Sequence, residues 1–214
     1  MQQQLRRAWS RWGLPRTFKV DNGSPWGSWS DWPPPLALWV IGLGVGLHWI
    51  PPRCPQRNGV AERSHGVTQR WVEASQCQNV AELQARIDRE DLVQREKYPH
   101  RDGRPRWEVY QGLRHSGRPY RAGQEKSLWS WQRVCDHLGE YAVDRRVDNS
   151  GKIGLYHDKV YVGVVLRGRQ VIVQFDPQVA EWIVSDRQGT ELCRRPLTQF
   201  DASSLRALSR GCHK

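Results

Sequence analysis

The longest apolar run in the chain, Leu36 to Ile50, is interrupted by Gly42, Gly44, Gly46 and His48. It falls short of the roughly 20 residues that a membrane-spanning helix needs. The run therefore has to be buried within a folded domain, as a short helix followed by a buried strand. Pro33, Pro34 and Pro35 lead into the helix, and proline is tolerated there because first-turn N–H groups have no intrahelical partner. Pro51 and Pro52 close the strand. Twelve tryptophans among 214 residues exclude a disordered chain, since such chains lack the large apolar groups that offset ordering entropy.

The charge balance points to a polyanionic partner. Lys plus Arg number 33 against 22 Asp plus Glu, giving a formal charge of +11. The excess runs along the whole chain, and it is mostly Arg, whose guanidinium fork suits phosphate. Nucleic acid is the simplest partner for such a charge. Cys54, Cys77, Cys135, Cys193 and Cys212 form no CxxC pair, so neither a disulfide framework nor a zinc knuckle is expected. The N-terminal MQQQLRRAW has no apolar core of a secretory signal, and a cytoplasmic protein without membrane contact is expected.

Periodicity predicts a helix over Gln2–Trp12, with Leu5, Ala8, Trp9 and Trp12 on one face and Gly13 and Pro15 ending it. Thr17–Val20 reads as a short strand stopped by Asp21-Asn22-Gly23. Leu36–Ile41 reads as a helix and Gly44–Ile50 as a second strand. A helix over 60–75 carries Val60, Val67, Trp71 and Ala74 as its apolar stripe, with Glu62, His65, Gln69 and Glu73 on another face. A further helix over 79–98 opens on Asn79 with Glu82 three residues on, a reciprocal capping signature. Strand, helix, strand, helix, helix is an α/β pattern.

Residues 100–127, rich in Arg, Gly and Pro, show no period and read as a basic linker, with a short helix over 128–138 after it. The remainder alternates with period two. Tyr141–Val147 and Lys152–Tyr156 flank Asp148-Asn149-Ser150-Gly151 as a hairpin. Five or six short strands then make a small barrel or sandwich.

Two acids stand out. Asp21 closes a strand, and in α/β sheets ligands gather at the carboxyl ends of strands. Glu62 lies in the first turn of a helix entered through Pro55, Asn58 and Gly59. Two carboxylates facing one point are the hard oxygen ligands that Mg²⁺ prefers, and a pair of such ions can drive phosphodiester chemistry. Taken singly, Asp-Asn-Gly is a turn sequence and a first-turn Glu complements the helix dipole. Arg57, Asn58, Arg63 and Arg70 can hold phosphates or form a solvated face, as can Lys152, Lys159, Arg167 and Arg169 on the β region. His65 either approaches a metal or phosphate or is a surface residue. Trp26, Trp29 and Trp32 can stack on bases or pack a core.

The segment Phe18-Lys19-Val20-Asp21-Asn22-Gly23-Ser24-Pro25-Trp26-Gly27, together with Pro52-x-x-Pro55-x-x-Asn58-Gly59-x-x-Glu62-Arg63, resembles the integrase core of bacterial insertion-sequence transposases. These belong with retroviral integrases to the DDE class. The resemblance covers roughly residues 5–98, and the region after 140 is similar to the C-terminal DNA-binding barrel of such enzymes. It implies a partial ribonuclease-H-like α/β fold over 1–98, a basic linker with a short helix over 99–139, a small all-β barrel over 140–200 and a tail over 201–214. It also implies strand transfer on DNA with Mg²⁺ or Mn²⁺ as cofactor. Asp21 would be the second metal-binding acid and Glu62 the third. Transposon ends and target DNA would be the partners, with self-association, in the bacterial cytoplasm at the nucleoid.

Members of that class place a first Asp on an earlier strand, whereas Asp21 is the first acidic residue of this sequence. The resemblance is thus to the C-terminal part of a transposase, with an upstream polypeptide supplying the first Asp and little or no catalysis by this chain alone. Thr17–Val20 would then expose an unpaired edge. The alternative is a non-catalytic DNA-binding remnant or an inhibitor that occupies transposon ends.

Overall fold

The computed structural model describes residues 1–27, 32–51, 55–100 and 102–208, a mixture of helix and sheet. In chain order the elements are α1 (Gln2–Trp12), β1 (Thr17–Val20), α2 (Pro35–Gly42), β2 (Gly46–Trp49), α3 (Gly59–Val72), α4 (Val80–Glu96), α5 (Arg106–Val109), α6 (Glu125–Leu128) and α7 (Trp131–Gly139). Then come β3 (Ala142–Arg146), β4 (Lys152–Leu155), β5 (Asp158–Tyr161), β6 (Gln170–Asp176), β7 (Glu181–Ser185), β8 (Glu191–Pro196) and α8 (Ala202–Arg206). They fall into two compact units. The first takes in residues 1–5, 16–49 and 122 onward, the second residues 6–15 and 50–121. The strand–helix–strand of residues 17–49 and the β-rich region after 142 therefore belong to one unit.

In the first unit, β1 and β2 are parallel, in register from Thr17 opposite Gly46 to Val20 opposite Trp49. Among the described residues, β2 is the only ladder partner of β1. The helix that joins them, α2, is buried from Leu36 to Gly42. A helix apolar on every side has to be enclosed, and α2 packs against α7, α8 and β2. The antiparallel sheet runs in the order β3-β6-β7-β8, with β4-β5 as a separate hairpin. These are open ladders, and no closed barrel is found among the described residues. Trp182 of β7 is fully buried, 4.9 Å from the ring of Trp32 and 4.9 Å from that of Phe175 in edge-on contacts. Such offset aromatic pairs contribute beyond the area they bury.

The hairpin expected across Asp148-Asn149-Ser150-Gly151 is corrected by this topology. The turn forms, with Gly151 N–H donating to the Asp148 carbonyl at 3.0 Å. However, β3 pairs with β6, from Ala142 opposite Gln174 to Arg146 opposite Gln170. The expected helix over 128–138 also divides: Trp129 is extended, and Ser130 caps α7 by accepting the Arg133 N–H. Val164 lies in a short 3₁₀ turn and is exposed.

In the second unit, the C-terminal half of α1 ends at Gly13, whose φ of +76° favours glycine. A Cβ there would come within 2.3 Å of Ser116 Oγ. Leu14 N–H donates to the Arg118 carbonyl at 2.8 Å, and the Arg95 guanidinium sits 3.7 Å over the Trp12 ring. Arg7 pairs with Asp88. Asn79 caps α4 by accepting the Glu82 N–H at 2.9 Å, while the Glu82 carboxylate accepts the Gln78 N–H. The stripe expected on α3 is not buried: Val60 is 87% exposed and Trp71 47%, while Val72 is the residue that packs inside. Residues 102–121, read as an aperiodic linker, contain α5 and a 3₁₀ turn over Gln111–Leu113. No helix of the described residues is long and apolar enough to cross a membrane.

Candidate functional site

Asp21 is the first residue beyond β1 and is exposed, while its neighbour Val20 is buried. Its Oδ1 accepts the Gly23 N–H at 3.0 Å, a turn in which an Asp side chain stands in for backbone. Three contacts fix the loop that follows. Trp26 is buried edge-on against Phe18 at 5.2 Å, and its carbonyl accepts the Trp49 indole N–H at 2.9 Å. Gly27 has no room for a side chain, because a Cβ would lie 2.0 Å from the Asn22 carbonyl oxygen. Asp21 is thereby held at the carboxyl end of a parallel strand. Trp26 and Trp32 are both buried and serve packing; Trp29 lies outside the described residues, as does Pro52 of the quoted motif.

Glu62 belongs to the other unit, in the first turn of α3, and is exposed. Asn58 precedes α3 without a side-chain cap bond. Arg57 ends the 3₁₀ turn over Pro55–Arg57, and Arg70 turns its Nε back onto the Gly66 carbonyl at 3.2 Å. At about 100° per residue, Glu62, His65 and Gln69 share one side of α3. Gly59, Arg63, Val67 and Arg70 share another. Among the described residues, no group of three or more His, Cys, Asp or Glu side chains lies together as a metal site would require. Each carboxylate suits a hard cation by type and exposure, yet the described residues do not assemble a complete ion site.

The side of α3 that carries Arg63 borders a cleft of about 840 Å³ within the second unit. Val60 and Val67 of α3 line it, with Tyr98, His100, Arg106 and Tyr110 opposite in sequence. The Tyr110 hydroxyl lies 3.1 Å from His100 Nε2, and the Arg106 guanidinium sits 5.3 Å over the Tyr98 ring. These four residues fall where the sequence periodicity fades, so no periodic pattern marks them. The available signal was the interleaving of aromatic and basic residues over 98–110.

The four basic residues singled out in the β region lie on β4, β5 and the turn before β6. Lys152 is exposed and faces Tyr161 across the β4-β5 ladder. Lys159 is committed to an ion pair, with Nζ 3.2 Å from Asp148 Oδ2. The Lys152 backbone N–H and the Lys159 ammonium together hold the Asp148 carboxyl below its usual range. Arg167 and Arg169 are exposed on either side of Gly168, whose φ is +77°. Cys77, Cys135 and Cys193 are free thiols. No protein-family model matches the chain.

Proposed function

We propose that this chain is part of a DDE-type transposase or integrase and acts on DNA by metal-dependent phosphodiester strand transfer. In this reading β1, α2 and β2 belong to a ribonuclease-H-like core, and the open β3–β8 region is a small DNA-binding module. The observation that carries it is the position of Asp21, exposed immediately beyond a strand that pairs in parallel through a β-α-β connection. Carboxyl ends of such strands are where α/β proteins gather their ligands. Glu62, exposed in the first turn of a 14-residue helix, is the second assigned acid. Asp21 and Glu62 are the proposed ligands of Mg²⁺ or Mn²⁺, and a third carboxylate comes from a partner polypeptide. Arg57, Asn58, Arg63 and Arg70 in the second unit and Lys152, Lys159, Arg167 and Arg169 in the first are the proposed DNA contacts.

The test combines the chain with the polypeptide encoded immediately upstream and measures strand transfer of labelled element ends in Mn²⁺. Asp21→Ala and Glu62→Ala should each abolish transfer, because metal catalysis of this kind depends on every bridging carboxylate, and both should leave duplex binding intact. Transfer that survives either substitution would sink the reading. Duplex binding with no transfer in any combination would leave the chain a DNA-binding protein that occupies element ends.

A further inference from the structure

We propose that the cleft bordered by α3 and by Tyr98, His100, Arg106 and Tyr110 is a binding site for single-stranded DNA. Bases would stack on Tyr98 and Tyr110, and phosphates would lie against Arg63 and Arg106.

Three observations converge on the cleft. First, its chemistry is mixed in the way a single strand requires: Arg63, Arg106 and His100 lie beside Tyr98, Tyr110 and aliphatic side chains, and no acid lines it among the described residues. Asp102, 3.9 Å from His100 Nδ1, is itself paired with Arg104 at 2.6 Å. Bases stack on aromatic faces whatever their sequence, and a basic groove follows the backbone. Second, the apolar stripe of α3 is not buried by the described residues. Val60 is 87% exposed, and Trp71 is 47% exposed where it meets Tyr98 at 5.7 Å. Tyr110 is 51% exposed, so a base can reach its ring. Third, α3 is 14 residues long and opens beside the cleft at Gly59 and Val60, with no Asn58 side-chain cap. The positive end of the helix dipole adds to the attraction for phosphate.

A duplex is a poorer occupant, because its stacked bases cannot present faces to the tyrosines. An unpaired stretch, such as a frayed or nicked end, offers base faces and phosphates together. The choice of DNA as ligand rests on the function proposed above; the site itself needs neither Asp21, Glu62 nor a metal.

Fluorescence anisotropy with a labelled 12-nucleotide oligothymidylate in EDTA tests the site apart from any catalysis. The oligonucleotide should bind more tightly than a duplex of equal length. Arg63→Ala and Tyr110→Ala should each weaken it about tenfold, the scale of one lost phosphate or stacking contact, while Tyr110→Phe should retain it. Both side chains are exposed, so neither truncation removes core packing. Photocrosslinking of the unaltered chain to the same oligonucleotide carrying 5-iododeoxyuridine should label peptides containing Tyr98 or Tyr110. Crosslinks confined to residues 142–196, or binding unchanged by Arg63→Ala and Tyr110→Ala, would overturn the proposal. So would tighter binding of the duplex. Loss of strand transfer with oligonucleotide binding intact would count against the catalytic reading alone.

Discussion

The Trp39 indole N–H donates to Glu125 Oε1 at 3.1 Å, and both side chains are buried. A helix as apolar as α2 thus carries one polar group into its enclosure, and a residue more than eighty positions away satisfies it. Trp129, just beyond the short helix that holds Glu125, completes the arrangement by donating its own indole N–H to the Trp39 carbonyl at 3.0 Å. These bonds tie the strand–helix–strand region to the segment leading into α7.

Removing the acceptor orphans a buried donor, which is costlier than losing an average hydrogen bond. Glu125→Ala should destabilise the chain by about 1–3 kcal/mol, and Glu125→Gln, which keeps an acceptor oxygen, by less. Urea unfolding of the two variants and the parent gives the comparison. Equal loss in both variants would mean that the acceptor oxygen is not what Glu125 contributes.

Gly42 sits under the Trp129 ring, where a Cβ would come within 2.2 Å of Nε1. The backbone there is fixed too, since the Gly42 carbonyl accepts the Ser130 N–H at 2.9 Å and Arg133 Nη1 at 3.0 Å. Gly42→Ala should therefore cost about 1–3 kcal/mol by overpacking, despite the better helix propensity of alanine. In a Trp129→Leu background the same change should cost less, a coupling that a double-mutant cycle in urea reads directly.

What the sequence disclosed was local. The end of α1 was legible because Gly13 and Pro15 act on the residues beside them, and the position of Asp21 because a short strand stops at a turn sequence. The partner of β3 was not legible: the turn at residues 148–151 forms, yet the ladder goes to β6, more than twenty residues further along the chain, and a local turn signal does not specify so distant a partner. Likewise, Val60 and Trp71 have the spacing of a buried stripe, but spacing says nothing of whether a partner surface exists. Asp21 and Glu62 were each placed on the expected element. Their membership of different units depends on contacts far apart in the chain.

Lys159 and the two arginines flanking Gly168 differ in how far they are already committed. The Lys159 ammonium is paired with Asp148, whereas Arg167 and Arg169 are exposed side chains with no ion pair among the described residues. If the β region binds duplex DNA, Arg167→Ala and Arg169→Ala should each lower the slope of log affinity against log salt by about 0.9. Lys159→Ala should change it less, because contact with a phosphate first requires breaking the existing pair. Salt titrations of duplex binding distinguish the three; equal slopes for all would remove Asp148 from the account.

His137 is half-buried, stacked near Trp49 and within 3.2 Å of the Tyr141 hydroxyl. Burial disfavours its charged form and lowers its pKa below the ordinary 6.5, while Glu140, 3.3 Å away, offsets part of that effect. Between the folded value and 6.5 the unfolded chain binds more protons than the folded one, so stability rises with pH across that window and falls on acidification. His137 should titrate below 6.5 by NMR. Glu140→Gln should lower its midpoint further by removing the opposing charge, and His137→Gln should flatten this part of the stability–pH curve. A midpoint above 6.5 would mean that the Glu140 carboxylate outweighs burial, and acidification would then stabilise the fold through this residue.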